Sequence, residues 1–190
     1  MQNKHKKIES NLIKHKALSL SFAVLASSLF VSRAFASPIS TDNVLYSINQ
    51  ERTSRGLQKL TIDPDLTSAA SLKSKDMLNR NYFEHFAFGL SPWDFIHNAG
   101  YNYLYAGENL AMDFNTSEGM VSAWMNSPAH RDNILNPDFR ETGIGIIKGE
   151  FSEDGKARTT TMVTDMFGRE KPTIVKAFDY ITKNLFRNLF

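Results

Sequence analysis

Cysteine is absent from all 190 residues. That excludes a disulfide framework, a thiolate metal site and a lipid-modified N-terminal cysteine, so a packed core has to carry the stability. A membrane-length apolar run is missing too. Ala17 to Val31 is apolar but only 15 residues long and includes four serines, short of the roughly 20 residues that a helix needs to cross a bilayer. No internal repeat or low-complexity stretch is present, and with 42% hydrophobic residues the chain has material for one domain with appendages.

Residues 1–36 read as a secretory signal. Lys4, Lys6, Lys7, Lys14 and Lys16 precede the apolar run, and the small-x-small sequence Ala34-Phe35-Ala36 predicts a cut after Ala36. An uncleaved anchor is the alternative, kept open by Arg33. The leader holds six of the 22 Lys and Arg and one of the 20 Asp and Glu, so the remainder has 16 against 19, a net charge of −3. The sequence pI of 8.8 therefore belongs to the leader and implies no nucleic-acid partner. The expected destination is a periplasm, a cell wall or the medium.

Six prolines are present, and those at 64, 92 and 128 each follow Asp or Ser. A side-chain oxygen before a proline is a helix-start signal: the oxygen accepts an orphan backbone N–H and the fixed φ of proline suits the first helical turn. Asp63-Pro64 predicts a helix to about Leu78 with Leu66, Ala69, Ala70 and Met77 inward and Lys73, Ser74 and Lys75 toward solvent. Ser91-Pro92 predicts a short helix from Trp93 to Ala99, ended by Gly100, with His97 at the surface or hydrogen-bonded to a neighbour. Before these, Thr41 or Asp42 caps a helix carrying Val44, Leu45 and Ile48 that closes near Arg55 and Gly56. Thr116 or Ser117 opens another, with Met120, Val121 and Trp124 inward. Tyr82, Phe83, Phe86 and Phe88 surround His85 on a connection and read as core filling. Strands are expected at Leu104–Leu110, Thr142–Lys148 and Thr159–Phe167, with a hairpin turn in Glu153-Asp154-Gly155-Lys156. The fold class is α+β: a three-layer α-β-α sandwich around a small antiparallel sheet. The domain is assigned to residues 37–170. Residues 171–190 read as a basic amphipathic helix, with Ile174, Phe178, Ile181, Leu185 and Leu189 at helical spacing, fit to dock on the domain or to touch a membrane surface or partner.

Ser127-Pro128 places His130 third in a short helix, where the N-terminal partial positive charge favours the neutral ring. A neutral imidazole can ligate a metal, accept a proton or merely bond a neighbour. His85, Glu108 and His130 are separated by 23 and 22 residues, so only a tertiary fold can gather them. Two imidazoles and a carboxylate make a divalent-metal site chemically reasonable, and imidazole suits zinc. A Ser127–His130–Glu108 nucleophile triad is disfavoured, because Ser127 is already explained as a helix cap and no nucleophile elbow surrounds it.

Several motifs carry a likeness. Asn49-Gln50-Glu51-Arg52, Glu84-His85, Ala99-Gly100-Tyr101, Gly107-Glu108-Asn109-Leu110-Ala111, the run from Trp124 to Leu135 and Thr142-Gly143-Ile144-Gly145 occur in order between about Val44 and Gly168. In these the chain resembles the CAP superfamily, or SCP domain, of cysteine-rich secretory, antigen five and pathogenesis-related proteins, and most of all its bacterial exported branch. The resemblance implies the α-β-α sandwich and a cleft of two His and two Glu that binds zinc or a similar divalent ion through the histidines. By carry-over His85 and His130 are the metal ligands, with Glu108 a third ligand or an orienting group, and the candidate general base if the protein is an enzyme. The position of the second Glu, three residues after Trp124, is Ser127 here, which weakens any reaction needing paired carboxylates. Asn109 and Asn133 are expected to stabilise the turns around the cleft. The favoured reading is an exported, non-catalytic domain that binds a metal and a small-molecule, lipid or cell-envelope ligand. The alternative is a metal-dependent hydrolase of extracellular peptide or peptidoglycan.

Overall fold

The structure, a computed structural model, describes residues 37–172 and residue 174. The leader read over residues 1–36 and nearly all of the amphipathic segment 171–190 lie outside the described residues.

Helix α1, Thr41–Thr53, is capped by Ser40, whose hydroxyl accepts from the Asn43 N–H at 3.3 Å, one position before the expected caps. Helix α2, Pro64–Arg80, begins where the sequence placed it: Asp63 Oδ1 accepts from the N–H groups of Asp65 and Leu66, both at 2.9 Å. Helices α3, Pro92–Asn98, and α4, Ser117–Asn126, follow, the latter capped by Thr116 through the Gly119 N–H at 3.1 Å. Helix α5, Pro128–Ile134, carries His130.

Four strands form one sheet in the order β1-β3-β4-β2: β1 is Thr61–Ile62, β2 Tyr103–Met112, β3 Glu141–Glu153 and β4 Lys156–Glu170. β3 and β4 are a long hairpin closed by Asp154 and Gly155, both at positive φ (51° and 74°), the geometry of a tight two-residue turn. β2 pairs antiparallel with β4, opposite Met166 at Glu108 and Asp165 at Asn109. β1 adds a parallel edge beside β3, so the sheet is mixed where only antiparallel strands were expected. Two exposed residues show no period from which to foresee it.

Alternation along β4 builds the two sides of the sandwich. Val163 and Phe167 face a core with Val44 and Ile48 of α1, Val121 and Trp124 of α4 and Ile134 of α5. Met162 and Met166 face the other way, toward Met77, Leu66 and Ala70 of α2 and Ile96 of α3. This is the three-layer arrangement.

Two sequence expectations fail on the α2 side. Lys73 and Ser74, expected in solvent, are fully buried, while Lys75 is exposed as expected. Leu66, Ala70, Lys73 and Met77 step by four, three and four residues, so Lys73 lies on the inward stripe itself. Phe86 and Phe88, expected to fill core, are 62% and 64% exposed; Tyr82 is buried and Phe83 partly so.

Candidate functional site

The candidate site is built on β2, an edge strand. Gly107 and Asn109 point to the α5 side and Glu108 between them points to the α2 side, so one strand addresses both layers. Gly107 has to be glycine: a Cβ there would lie 2.8 Å from Asn133 Oδ1 and 2.9 Å from the Phe139 ring, the closeness with which α5 and its following loop approach the strand.

On the α5 side the amides form a clasp. Asn133 Nδ2 donates to the Glu108 carbonyl at 3.0 Å and to Asn109 Oδ1 at 2.9 Å, and Asn109 Nδ2 donates to the His130 carbonyl at 3.1 Å. Trp124 Nε1 donates to the Leu110 carbonyl at 2.9 Å. The outward carbonyls of the edge at 108 and 110 are thereby satisfied by side chains. Both asparagines play the bracing part expected of them.

On the α2 side Glu108 Oε1 accepts from His85 Nδ1 at 2.6 Å. The Glu108 side chain is 2% exposed and the His85 ring 45%, so a buried carboxylate orients an imidazole that opens to solvent. Burial pushes the Glu108 carboxyl above its ordinary value, opposed first by the hydrogen bond from His85 and then by the charge of Lys73. Glu108 Oε2 is buried without a hydrogen-bond partner among the described residues. Lys73 fixes the loop from beneath, its Nζ donating to the carbonyls of Glu84 at 2.8 Å and His85 at 2.9 Å. Sequence reasoning missed this lysine; its place in the apolar stripe of α2 was the signal.

Ser127 differs from expectation. Its hydroxyl makes no cap hydrogen bond to α5 and meets His130 Nδ1 instead, at 2.9 Å. His130 is half-buried, and its pKa is lowered first by burial and then by the charge of His85, which favours the neutral ring, with burial and not the helix terminus as the leading cause. Glu108 bonds His85 and not His130, so no Ser127–His130–Glu108 triad is wired. Among the described residues no group of three or more His, Cys, Asp and Glu is gathered in a metal-holding cluster. His97 is exposed, away from these contacts, as expected.

An α-β-α sandwich with a buried carboxylate on its edge strand bonded to the His85 imidazole, and a second histidine, His130, carried on α5, defines a particular class of domain. Residues 45–163 match the cysteine-rich secretory protein family, and the chain belongs to that family, CAP. It is 46% identical over 102 residues to the uncharacterized protein YkwD of Bacillus subtilis (strain 168), a match covering 53% of this chain and 39% of YkwD. Among solved structures it is similar to an extracellular protein of Bacillus anthracis that contains an SCP domain, at 26% identity and a TM-score of 0.57, over 71% of this chain and 45% of that one. An outer surface protein of Borrelia burgdorferi shares the fold with a TM-score of 0.57 at 23% identity, over 72% of this chain and all of that one. The chain thus spans about two fifths of the length of YkwD.

Proposed function

We propose that this is an exported CAP domain whose cleft binds a divalent cation, zinc above all, through Nε2 of His85 and of His130. One observation carries the reading: both Nδ1 atoms are already engaged, by Glu108 and by Ser127, while no hydrogen bond occupies either Nε2 among the described residues. Metal-binding histidines characteristically carry such a partner on the second nitrogen, which fixes tautomer and ring orientation. Glu108 is then an orienting group and not a direct ligand. Two protein ligands leave coordination positions for a small-molecule or cell-envelope ligand.

Catalysis is not part of this reading. Glu108, the candidate general base, has one oxygen committed to His85 and is too enclosed to meet a substrate, and Ser127 stands where a second carboxylate would be needed. Export rests on the leader sequence, and among the described residues no helix is long and apolar enough to cross a membrane.

Calorimetric zinc titration of residues 37–190 tests the proposal. Saturable binding is expected at pH 7.5, weakened at pH 5.5 where protons compete for imidazole, and lost in the His85→Ala/His130→Ala double variant. Equal binding by wild type and variant would reduce the histidines to architecture.

A further inference from the structure

The first described residues are fastened more firmly than a lead-in to α1 requires. The Ser117 N–H at the start of α4 donates to the Ser37 carbonyl at 3.1 Å. The fully buried Ser117 hydroxyl donates to the Pro38 carbonyl at 3.1 Å, and Asn43 Nδ2 reaches that same carbonyl at 3.0 Å. Ile39 packs on the larger core. The Ser37 nitrogen faces Glu118, donating to Oε2 at 3.1 Å, and Glu118 has no part in the cleft.

Ser37 is also the residue that follows Ala34-Phe35-Ala36. The export sequence and the hydrogen bonds, which are independent of each other, meet on one nitrogen. We infer that hydrolysis of the Ala36–Ser37 bond creates the Ser37 α-ammonium as the counter-ion of Glu118, clipping the mature N-terminus to the first turn of α4.

The chemistry needs only water, delivered by a signal peptidase on the export route. The C–N bond breaks, the hydroxyl goes to the Ala36 carbonyl carbon, and one hydrogen goes to the Ser37 nitrogen. The new carboxyl then gives up its proton, so Ala36 leaves as a carboxylate and Ser37 holds an ammonium. An α-amino group of reference pKa about 7.7–8.0 is mostly charged at neutral pH. Before the cut, the same nitrogen is a neutral amide with a single N–H. After it, the bond to Glu118 is charge-assisted, which makes it the stronger kind. The clip is independent of the cleft and of any metal there.

The test uses the full chain, expressed with its leader through a bacterial export route, beside Glu118→Gln. Intact mass of the exported protein is expected to place its first residue at Ser37. Brief periodate treatment then converts an N-terminal serine with a free amine to a glyoxylyl group, removing the ammonium while Glu118 stays. The thermal midpoint of the wild type is expected to fall by about 1–3 °C, as suits an exposed ion pair in a domain of this size, and that of Glu118→Gln to stay put. A mature chain beginning elsewhere, or an equal fall in both proteins, overturns the inference.

Discussion

Lys73 places an ammonium ion inside the protein with no carboxylate in direct contact among the described residues. Its nitrogen is held by the carbonyls of Glu84 and His85 and lies 4.9 Å from the centre of the Tyr82 ring and 5.4 Å from that of Phe95. Burial lowers its pKa, and the nearby charges of Glu108, Asp76 and Glu84 resist that shift, so the lysine and the cleft carboxylate support each other's charged forms. Removing it takes the donor from two part-buried carbonyls that set the His85 loop. Lys73→Met is therefore expected to cost about 2–4 kcal/mol in urea unfolding, whereas Lys75→Met, on the exposed side of the same helix, should stay within about 0.5 kcal/mol. A Lys73→Met protein as stable as wild type would mean that the His85 loop is held by something else. At this scale the sequence was only half legible. His85, Glu108 and His130 stood out because their motifs carry chemistry-bearing residue types at distant positions. Lys73 did not, because a lysine in a helix is ordinarily solvated, and Ser127 before Pro128 is locally indistinguishable from a cap until His130 is seen competing for its hydroxyl.

At the scale of elements, helix starts were legible because capping is local chemistry: Asp63, Ser91 and Thr116 each sit at the start of a helix that the sequence assigned. Strands β2, β3 and β4 were legible in place but not in extent, since β3 and β4 continue to the Asp154-Gly155 turn through exposed, mixed residues, and β1 was not legible at all. What the Thr142-Gly143-Ile144-Gly145 motif is for emerges only from packing. A Cβ on Gly143 would fall 2.0 Å from the Leu66 carbonyl carbon, and one on Gly145 2.3 Å from that of Ala70. The two glycines are a flat bed on which the backbone of α2 lies directly against β3. Gly145→Ala should thus push α2, with Lys73 and Ser74, off the sheet. We expect a loss of about 1–3 kcal/mol or more, the usual range for overpacking, since backbone cannot rotate aside as a side chain can. Chemical denaturation of Gly145→Ala beside Gly155→Ala separates this steric cost from the conformational one, because Gly155 has nothing within 4 Å of the added methyl.

For the molecule as a whole, the burial of Asp165 in the middle of the sheet sets a pH dependence that composition could not have revealed. Among the described residues its carboxyl has one hydrogen bond, from the Thr142 hydroxyl, and its Oδ2 has no partner; burial raises its pKa from 3.8 to about 7. An acid whose folded pKa exceeds its unfolded one binds more protons folded than unfolded between the two values. Its contribution is therefore full below about pH 4 and is lost as pH rises through about 7. A shift of that size corresponds to roughly 4 kcal/mol as an upper bound. Glu108, also raised by burial, acts in the same direction, whereas His130, lowered, adds stability as pH rises toward 6.5. Because these oppose each other, the wild-type profile alone cannot isolate Asp165. Asp165→Asn can, since asparagine mimics the protonated acid in shape and cannot ionise. Urea unfolding at pH 5, 6.5 and 8 should show the variant gaining on wild type with each step upward. Parallel curves would mean that the carboxylate is already charged and compensated in the fold.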